Sequence, residues 1–353
     1  MILLSKLIEW FLPSLREKHG ERLLPSHEKA LDAMANCRTE SSPVMVVECS
    51  DCGNKEVIPH SCGHRGCPHC QHYESQQWLE RQRAKLLPVT YFMVTFTLPR
   101  QLRGLVFANQ KLCYDLLMRL GWQTLREFGL NDKQLHGVLG ATAVLHTNTR
   151  SLDFHPHVHF IVPAGALDPK HRLWRRKRGK YLFREQNLAK VFRAKWFAAM
   201  AEQGLNIRPT LPKDWVVDCQ YVGRGEKALT YLGKYLYRGV LREKDILSCE
   251  NGQVTFHYTD NQGKGQTRTL PGADFLWLLL QHVLPKGFRR ARDYGLLHAN
   301  SKPLIQLLRW IFPIIGERPY EKPQRPPIRC PACGGVMAII ATRCYALPAA
   351  QPT

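Results

Sequence analysis

Two Cys-x-x-Cys pairs constrain this chain more than any other feature. Cys49-Ser-Asp-Cys52 and Cys67-Pro-His-Cys70 stand in one short stretch, with residues 53–66 between them. Each knuckle presents two thiolates from a tight turn, and two knuckles supply the tetrahedral four-sulfur shell that Zn2+ prefers. Gly53 follows the first pair, where such a turn often needs a positive φ that glycine takes without strain. The spacing predicts a structural zinc on Cys49, Cys52, Cys67 and Cys70. Cys37 and Cys62, with His64 and the neighbouring His60, His69 and His72, could hold a second ion. A redox pair would need a βαβ setting that is missing here. Near the C-terminus, Cys330-Pro-Ala-Cys333 reads as half a ribbon whose downstream partner is Cys344 alone. Clustering of this kind marks metal sites, not a disulfide framework, and suits a reducing compartment.

Charge narrows the class of partner. Fifty Lys and Arg against 29 Asp and Glu leave +21, which fits a polyanion whose neutralised phosphates release counterions. Hydrophobic residues at 44% are enough for a sizeable core, so wholesale disorder is excluded. No apolar run approaches the roughly 18 residues of a membrane span. The opening MILLSKLIEWFLPSL carries Lys6 and Glu9 inside its apolar stripe and reads as an amphipathic helix, not a secretory signal. The expectation is a cytoplasmic protein with a polyanionic partner and no membrane; its oligomeric state is not legible.

Periodicity divides the chain into an N-terminal helical segment (1–36), a zinc-binding module (37–72), a helical connector (73–90), a core (91–240), a basic C-terminal region (241–316) and a Pro-rich linker with a Cys-containing tail (317–353). Strands are predicted over Tyr91–Leu98, Gly137–Thr147, His157–Val162 and Trp215–Tyr221, and helices over 105–128, 185–203 and Lys227–Tyr237. Further on, Val254–Thr259 with Gly265–Leu270 reads as a hairpin and Phe275–Leu284 as a helix. Strands interleaved with helices imply an α+β fold or a split βαβ sheet for the core.

Within that core, His157-Val158-His159 sits in a strand, so both imidazoles project to one face while Val158 packs inward. Such a pair can chelate a divalent ion. Tyr231-Leu-Gly-Lys-Tyr235 places two tyrosines one helical turn apart on a common face. A tyrosine hydroxyl, with an ordinary pKa near 10, attacks a phosphodiester effectively when a metal stabilises the developing charge. Histidines for a metal and a tyrosine helix together suit covalent strand cleavage. For a third ligand His146 is favoured, because it can pair across the turn with the His-Val-His strand; Asp153, His155 and Gln220 are alternatives.

The runs HPHVHFIVPAG and YLGKYLYRG resemble those of the HUH-superfamily two-tyrosine rolling-circle transposases of the bacterial insertion sequence 91 family. The upstream CRT, HSCGHRGCPHCQ and YFMVTFTLP and the downstream HVLPKGFRRARDYGLL extend the resemblance over about residues 30–300. It implies an HUH endonuclease core, an antiparallel sheet flanked by helices, with Mg2+ or Mn2+ on His157 and His159 and with Tyr231 and Tyr235 as nucleophiles. It also implies a 5′-phosphotyrosine intermediate, single-stranded or hairpin ends of the element as substrate, and strand rejoining without a nucleotide cofactor. One departure is Gly66, where many relatives have histidine.

Lys170–Arg184 is basic throughout, without an acidic residue, and interleaves Trp174, Tyr181 and Phe183. Cations for phosphates beside rings for bases are the means of holding single strands. The predicted contacts are Lys170, Arg172, Trp174, Arg175, Arg176, Lys177, Arg178 and Lys180, joined by Arg289, Arg290 and Arg292. Rival readings are a plasmid replication initiator or relaxase of the same superfamily, a zinc-dependent DNA-binding regulator with a dead core, and an RNA-binding protein.

Overall fold

The computed structural model describes residues 2–70, 72–179, 181–205, 210–236, 240–260, 262–312, 320 and 322–344, the side chains of Lys234, Tyr235, Arg343 and Cys344 excepted. The chain forms two compact units, neither continuous in sequence. One comprises Met1–Glu74, Tyr237–Val283 and Pro323–Thr353; the other comprises Ser75–Leu236 and Leu284–Lys322.

The second unit is built on a five-stranded sheet in the order Ala291–Gly295, Gly140–Asn148, Phe154–Pro163, Tyr91–Thr97, Val217–Tyr221. Every neighbouring pair is antiparallel. Because paired residues share a face, Val94, Phe96, Val158 and Phe160 fall on one side and Thr95, His157 and His159 on the other. The apolar side is covered by the helices Gln110–Asn131 and Glu185–Glu202. A Cβ at Gly121 of the first helix would stand 2.7 Å from the Phe160 ring, and Phe192 of the second packs its ring 4.9 Å from that of Phe96. The predicted strands and the helix over 185–203 occur with ends shifted by a few residues. The helix at Lys227–Tyr237 runs Glu226–Leu236, with Tyr237 outside the described residues, and 105–128 divides at Asn109 into Arg103–Ala108 and Gln110–Asn131. The edge strand Ala291–Gly295 was not legible, since its side chains are mostly polar: Asp293 accepts hydrogen bonds from Thr142 and from Lys85.

In the first unit, helices Leu4–His19, Pro25–Ala35 and Gly272–Leu280 pack on one another. Gly272 makes room for Phe11, whose ring would lie 2.3 Å from a Cβ there, and Trp277 stacks on His19 at 5.0 Å. The predicted hairpin forms between Gln253–Thr259 and Gly265–Pro271, and Ile246–Glu250 adds a third strand. A separate four-stranded sheet runs Ile328–Arg329, Val336–Cys344, Val44–Cys49, Lys55–Pro59. The stretch read as a linker and tail thus supplies strands to the N-terminal module. Val336–Cys344 lies antiparallel to Val44–Cys49, and Val47, Cys49, Cys330 and Met337 form a small buried cluster between the turns. No helix among the described residues is long and apolar enough to cross a membrane.

Candidate active site and metal centres

Strand register assembles a histidine triad. His146 pairs directly with His157, and His159 lies two residues further along the same face. Ring centroids are 5.3 Å apart for His146–His157, 4.5 Å for His146–His159 and 4.9 Å for His157–His159. One nitrogen from each lies within 4.8 Å of the others, a spacing that a single ion can bridge. A hydrogen bond defines the tautomer of His157. His157 Nδ1–H donates to the carbonyl of His155 at 2.7 Å, which leaves Nε2 as a lone pair. His159 Nδ1 is bonded to Thr95 Oγ1 at 2.8 Å, and its buried Nε2 has no hydrogen-bond partner among the described residues. Burial holds His157 at about 4 and pushes His146 and His159 well below the usual imidazole range, and the neighbouring imidazoles press the latter two down further. All three are therefore neutral at pH 7, the form that binds metal.

The alternative ligands have other partners or places. His155 Nδ1 accepts from Arg103 at 2.7 Å, and Asp153 accepts from Ser151 within the connecting turn. Gln220 belongs to the far edge strand, separated from the His-Val-His strand by Tyr91–Thr97. Thr95 is the residue that sequence reasoning missed; pairing the TFT run against His-Val-His would have placed it beside His159.

The helix Glu226–Leu236 brings Tyr231 to this face. Its ring is 6.3 Å from that of His146 and 6.4 Å from that of His159, and it remains partly exposed. The buried stripe Ala228, Leu229, Leu232 and Leu236 seats the helix. Ser75 Oγ–H donates to the Gly233 carbonyl at 2.8 Å. Tyr235 lies one turn beyond Tyr231, but its side chain, like all of Tyr237, falls outside the described residues.

The cysteines regroup, which corrects the predicted zinc shell. Cys67 and Cys70 join Cys37 and Cys62, not Cys49 and Cys52. Sulfur separations are 3.7 Å for Cys37–Cys70, 3.6 Å for Cys62–Cys70 and 3.6 Å for Cys37–Cys67. A tetrahedral ZnS4 unit with bonds of about 2.3 Å has edges of about 3.8 Å, so the donors fit zinc. His64 is not needed as the fourth ligand: its Nδ1 accepts the N–H of Gly66 at 3.1 Å. With four thiols in place, a glycine at 66 costs this site nothing. Cys49 and Cys52 face Cys330 and Cys333 instead. The sequence misled because the two knuckles are adjacent in the chain, whereas the pairing of Val44–Cys49 with Val336–Cys344 sets the first knuckle against the tail.

The basic hairpin also sorts its residues. Lys170, Arg172, Arg176 and Arg178 are exposed, as are Tyr181 and Arg289. Arg175 is ion-paired with Asp168, Lys177 with Asp132 and Arg292 with Asp115, while Arg290 is buried. Trp174 packs against Gly165 and Phe312, and Phe183 belongs to the core, so neither ring is a free stacking platform. Lys180 lies outside the described residues.

Residues 140–303 match the family described as "Putative transposase", and residues 7–98 match the "Transposase zinc-binding domain". Those matches define a zinc-binding transposase, a class of protein that acts on DNA. A Sinorhizobium fredii protein described as "Putative transposase y4qJ" is 31% identical over 299 residues, covering 78% of this chain and 75% of its own. The transposase for insertion sequence element IS801 of Pseudomonas savastanoi pv. phaseolicola is 28% identical over 340 residues, covering 87% and 82%. The chain belongs to the insertion sequence 91 family of transposases. That membership favours transposition over plasmid initiation or conjugative relaxation. No solved structure matches the chain.

Proposed function

We propose that the chain is an HUH-type single-strand endonuclease and strand transferase that cuts the ends of its element by tyrosine attack. The observation that carries this reading is the Tyr231 ring standing 6.3–6.4 Å from two rings of a neutral histidine triad on one face of an antiparallel sheet. His146, His157 and His159 would hold Mg2+ or Mn2+. When bound, the ion supplies Lewis-acid stabilisation of charge on the phosphate. Imidazole donors suit Mn2+ better than the oxygen-seeking Mg2+. The Tyr231 hydroxyl loses its proton to solvent as its oxygen attacks phosphorus, the P–O3′ bond breaks, and the 3′ oxygen takes a proton from solvent and leaves as a hydroxyl. One phosphodiester becomes a 5′-phosphotyrosine, so the bond energy is conserved and a later 3′-OH can reverse the exchange without a nucleotide cofactor. Tyr235, on the same helix, would serve the second cleavage of a rolling-circle-like cycle. Lys170, Arg172, Arg176 and Arg178, exposed beside Tyr181, support single-stranded or hairpin DNA as the ligand.

The test is a labelled single-stranded oligonucleotide carrying the element's end, incubated with Mn2+ and resolved on a denaturing gel. A protein–DNA adduct is expected from wild type and from Tyr237→Phe, and none from the Tyr231→Phe/Tyr235→Phe double variant. His157→Ala/His159→Ala should bind the oligonucleotide but leave it uncut. Tight binding by wild type without any adduct would favour the regulator with a dead core, and equal affinity for RNA without nicking would favour an RNA-binding protein.

A further inference from the structure

Cys330 and Cys333 lie outside both matched stretches, 7–98 and 140–303, yet the fold gives them partners. Cys49 Sγ is 3.5 Å from Cys333 Sγ, and Cys52 Sγ is 3.7 Å from Cys330 Sγ. Those separations far exceed a disulfide bond of about 2.05 Å and approach the roughly 3.8 Å edge of a tetrahedral ZnS4 unit. We propose that Cys49, Cys52, Cys330 and Cys333 form a second structural zinc site, a ribbon that ties the tail of the chain to its N-terminal module.

The two knuckles repeat each other bond for bond. Cys49 N–H donates to the Asn54 carbonyl at 2.9 Å, and Cys330 N–H donates to the Gly335 carbonyl at 2.8 Å. Gly53 N–H returns to the Cys49 carbonyl at 3.1 Å, and Gly334 N–H to that of Cys330 at 2.9 Å. Gly53 and Gly334 take φ of 71° and 74°, a left-handed turn that glycine adopts at no steric cost. Gly335 sits where the turns approach each other, since a Cβ there would lie 2.2 Å from Asp51 Oδ2 and 3.1 Å from Cys49 Sγ. Around the four sulfurs, the pairing of Val336–Cys344 with Val44–Cys49 fixes the knuckles face to face.

The ligand is a closed four-thiolate shell with no position left for a substrate, so the site is structural. Loading converts four thiols to thiolates and releases their protons. The bridge joins positions 278 residues apart. Restraints on such long loops remove the most freedom from the unfolded chain. The site stands whether or not the strand-cleavage reading holds.

Native mass spectrometry and elemental analysis of the zinc-replete full-length protein give the test. Two zinc ions per chain are expected, falling to one in Cys330→Ser/Cys333→Ser and to one in Cys62→Ser/Cys70→Ser. A single zinc in wild type, unchanged by the tail substitutions, would overturn the site. Should the variants fold poorly, differential alkylation of wild type decides. Cys49, Cys52, Cys330 and Cys333 should be protected together and become reactive together on chelation. Fast labelling of exposed Cys333 and of Cys330 in the zinc-loaded protein, or a mass lowered by a disulfide, would refute the proposal.

Discussion

Thr95 controls a detail that the histidines cannot control for themselves. If His159 is to offer Nε2 to a metal, its proton must sit on Nδ1, where it donates to Thr95 Oγ1 at 2.8 Å. Thr95→Val keeps the β-branched shape that suits the strand and removes only that partner. The apparent affinity for Mn2+ should fall roughly 10–100-fold, with cleavage largely recovered at saturating metal. Titrating oligonucleotide cleavage against Mn2+ measures this. An unshifted midpoint would mean that His159 does not ligate through Nε2. His157 is less dependent on side-chain neighbours, because a backbone carbonyl holds its Nδ1–H.

Between elements, the sheet works because its two faces are loaded differently. Phe96 and Phe160 need a helix pressed closely against them, and Gly121 grants the approach. Gly121→Ala gains about 1 kcal/mol of helix propensity but drives a methyl to 2.7 Å from the Phe160 ring. Overpacking of that kind costs about 1–3 kcal/mol. The expected outcome is net destabilisation, read as a lower denaturant midpoint at unchanged slope, with metal-dependent activity per folded molecule retained. A midpoint at or above that of wild type would show that Phe160 can swing aside. On the opposite face the requirement is reversed: the tyrosine helix must leave the histidines reachable, and it is seated by its buried Leu229, Leu232 and Leu236 and by the Ser75–Gly233 hydrogen bond.

For the whole molecule, a net charge of +21 says that DNA is attracted but not where it is held. Ion pairing with Asp168 and Asp132 already occupies Arg175 and Lys177. Replacing exposed Lys170, Arg172, Arg176 and Arg178 by Gln should therefore reduce the salt slope of single-strand binding by about 0.7 per lost phosphate contact, roughly 3 in all. Replacing Arg175 and Lys177 should alter it far less. Fluorescence anisotropy over a range of NaCl concentrations separates the two sets, and equal losses would return the paired cations to the DNA surface.

Local chemistry was readable in the one-dimensional chain wherever the partners were near in sequence. The alternation around His157-Val158-His159, the turn that brings His146 opposite, the tyrosine spacing and the hairpin at Gln253–Pro271 are all set by strand and helix periods acting over a few residues. Even the cysteine donor types followed from the sequence. Which cysteines share a metal did not, because a knuckle's own turn is local but its opposite knuckle is chosen by strand pairing. Val44–Cys49 pairs with Val336–Cys344, so Cys49 and Cys52 pass over Cys67 and Cys70, close in the chain, for Cys330 and Cys333 at its far end. The same holds for Asp115, Asp132 and Asp168, whose capture of particular arginines and lysines decides which charges remain exposed. Periodicity determines a side chain's face; only the packed fold determines what stands across from it.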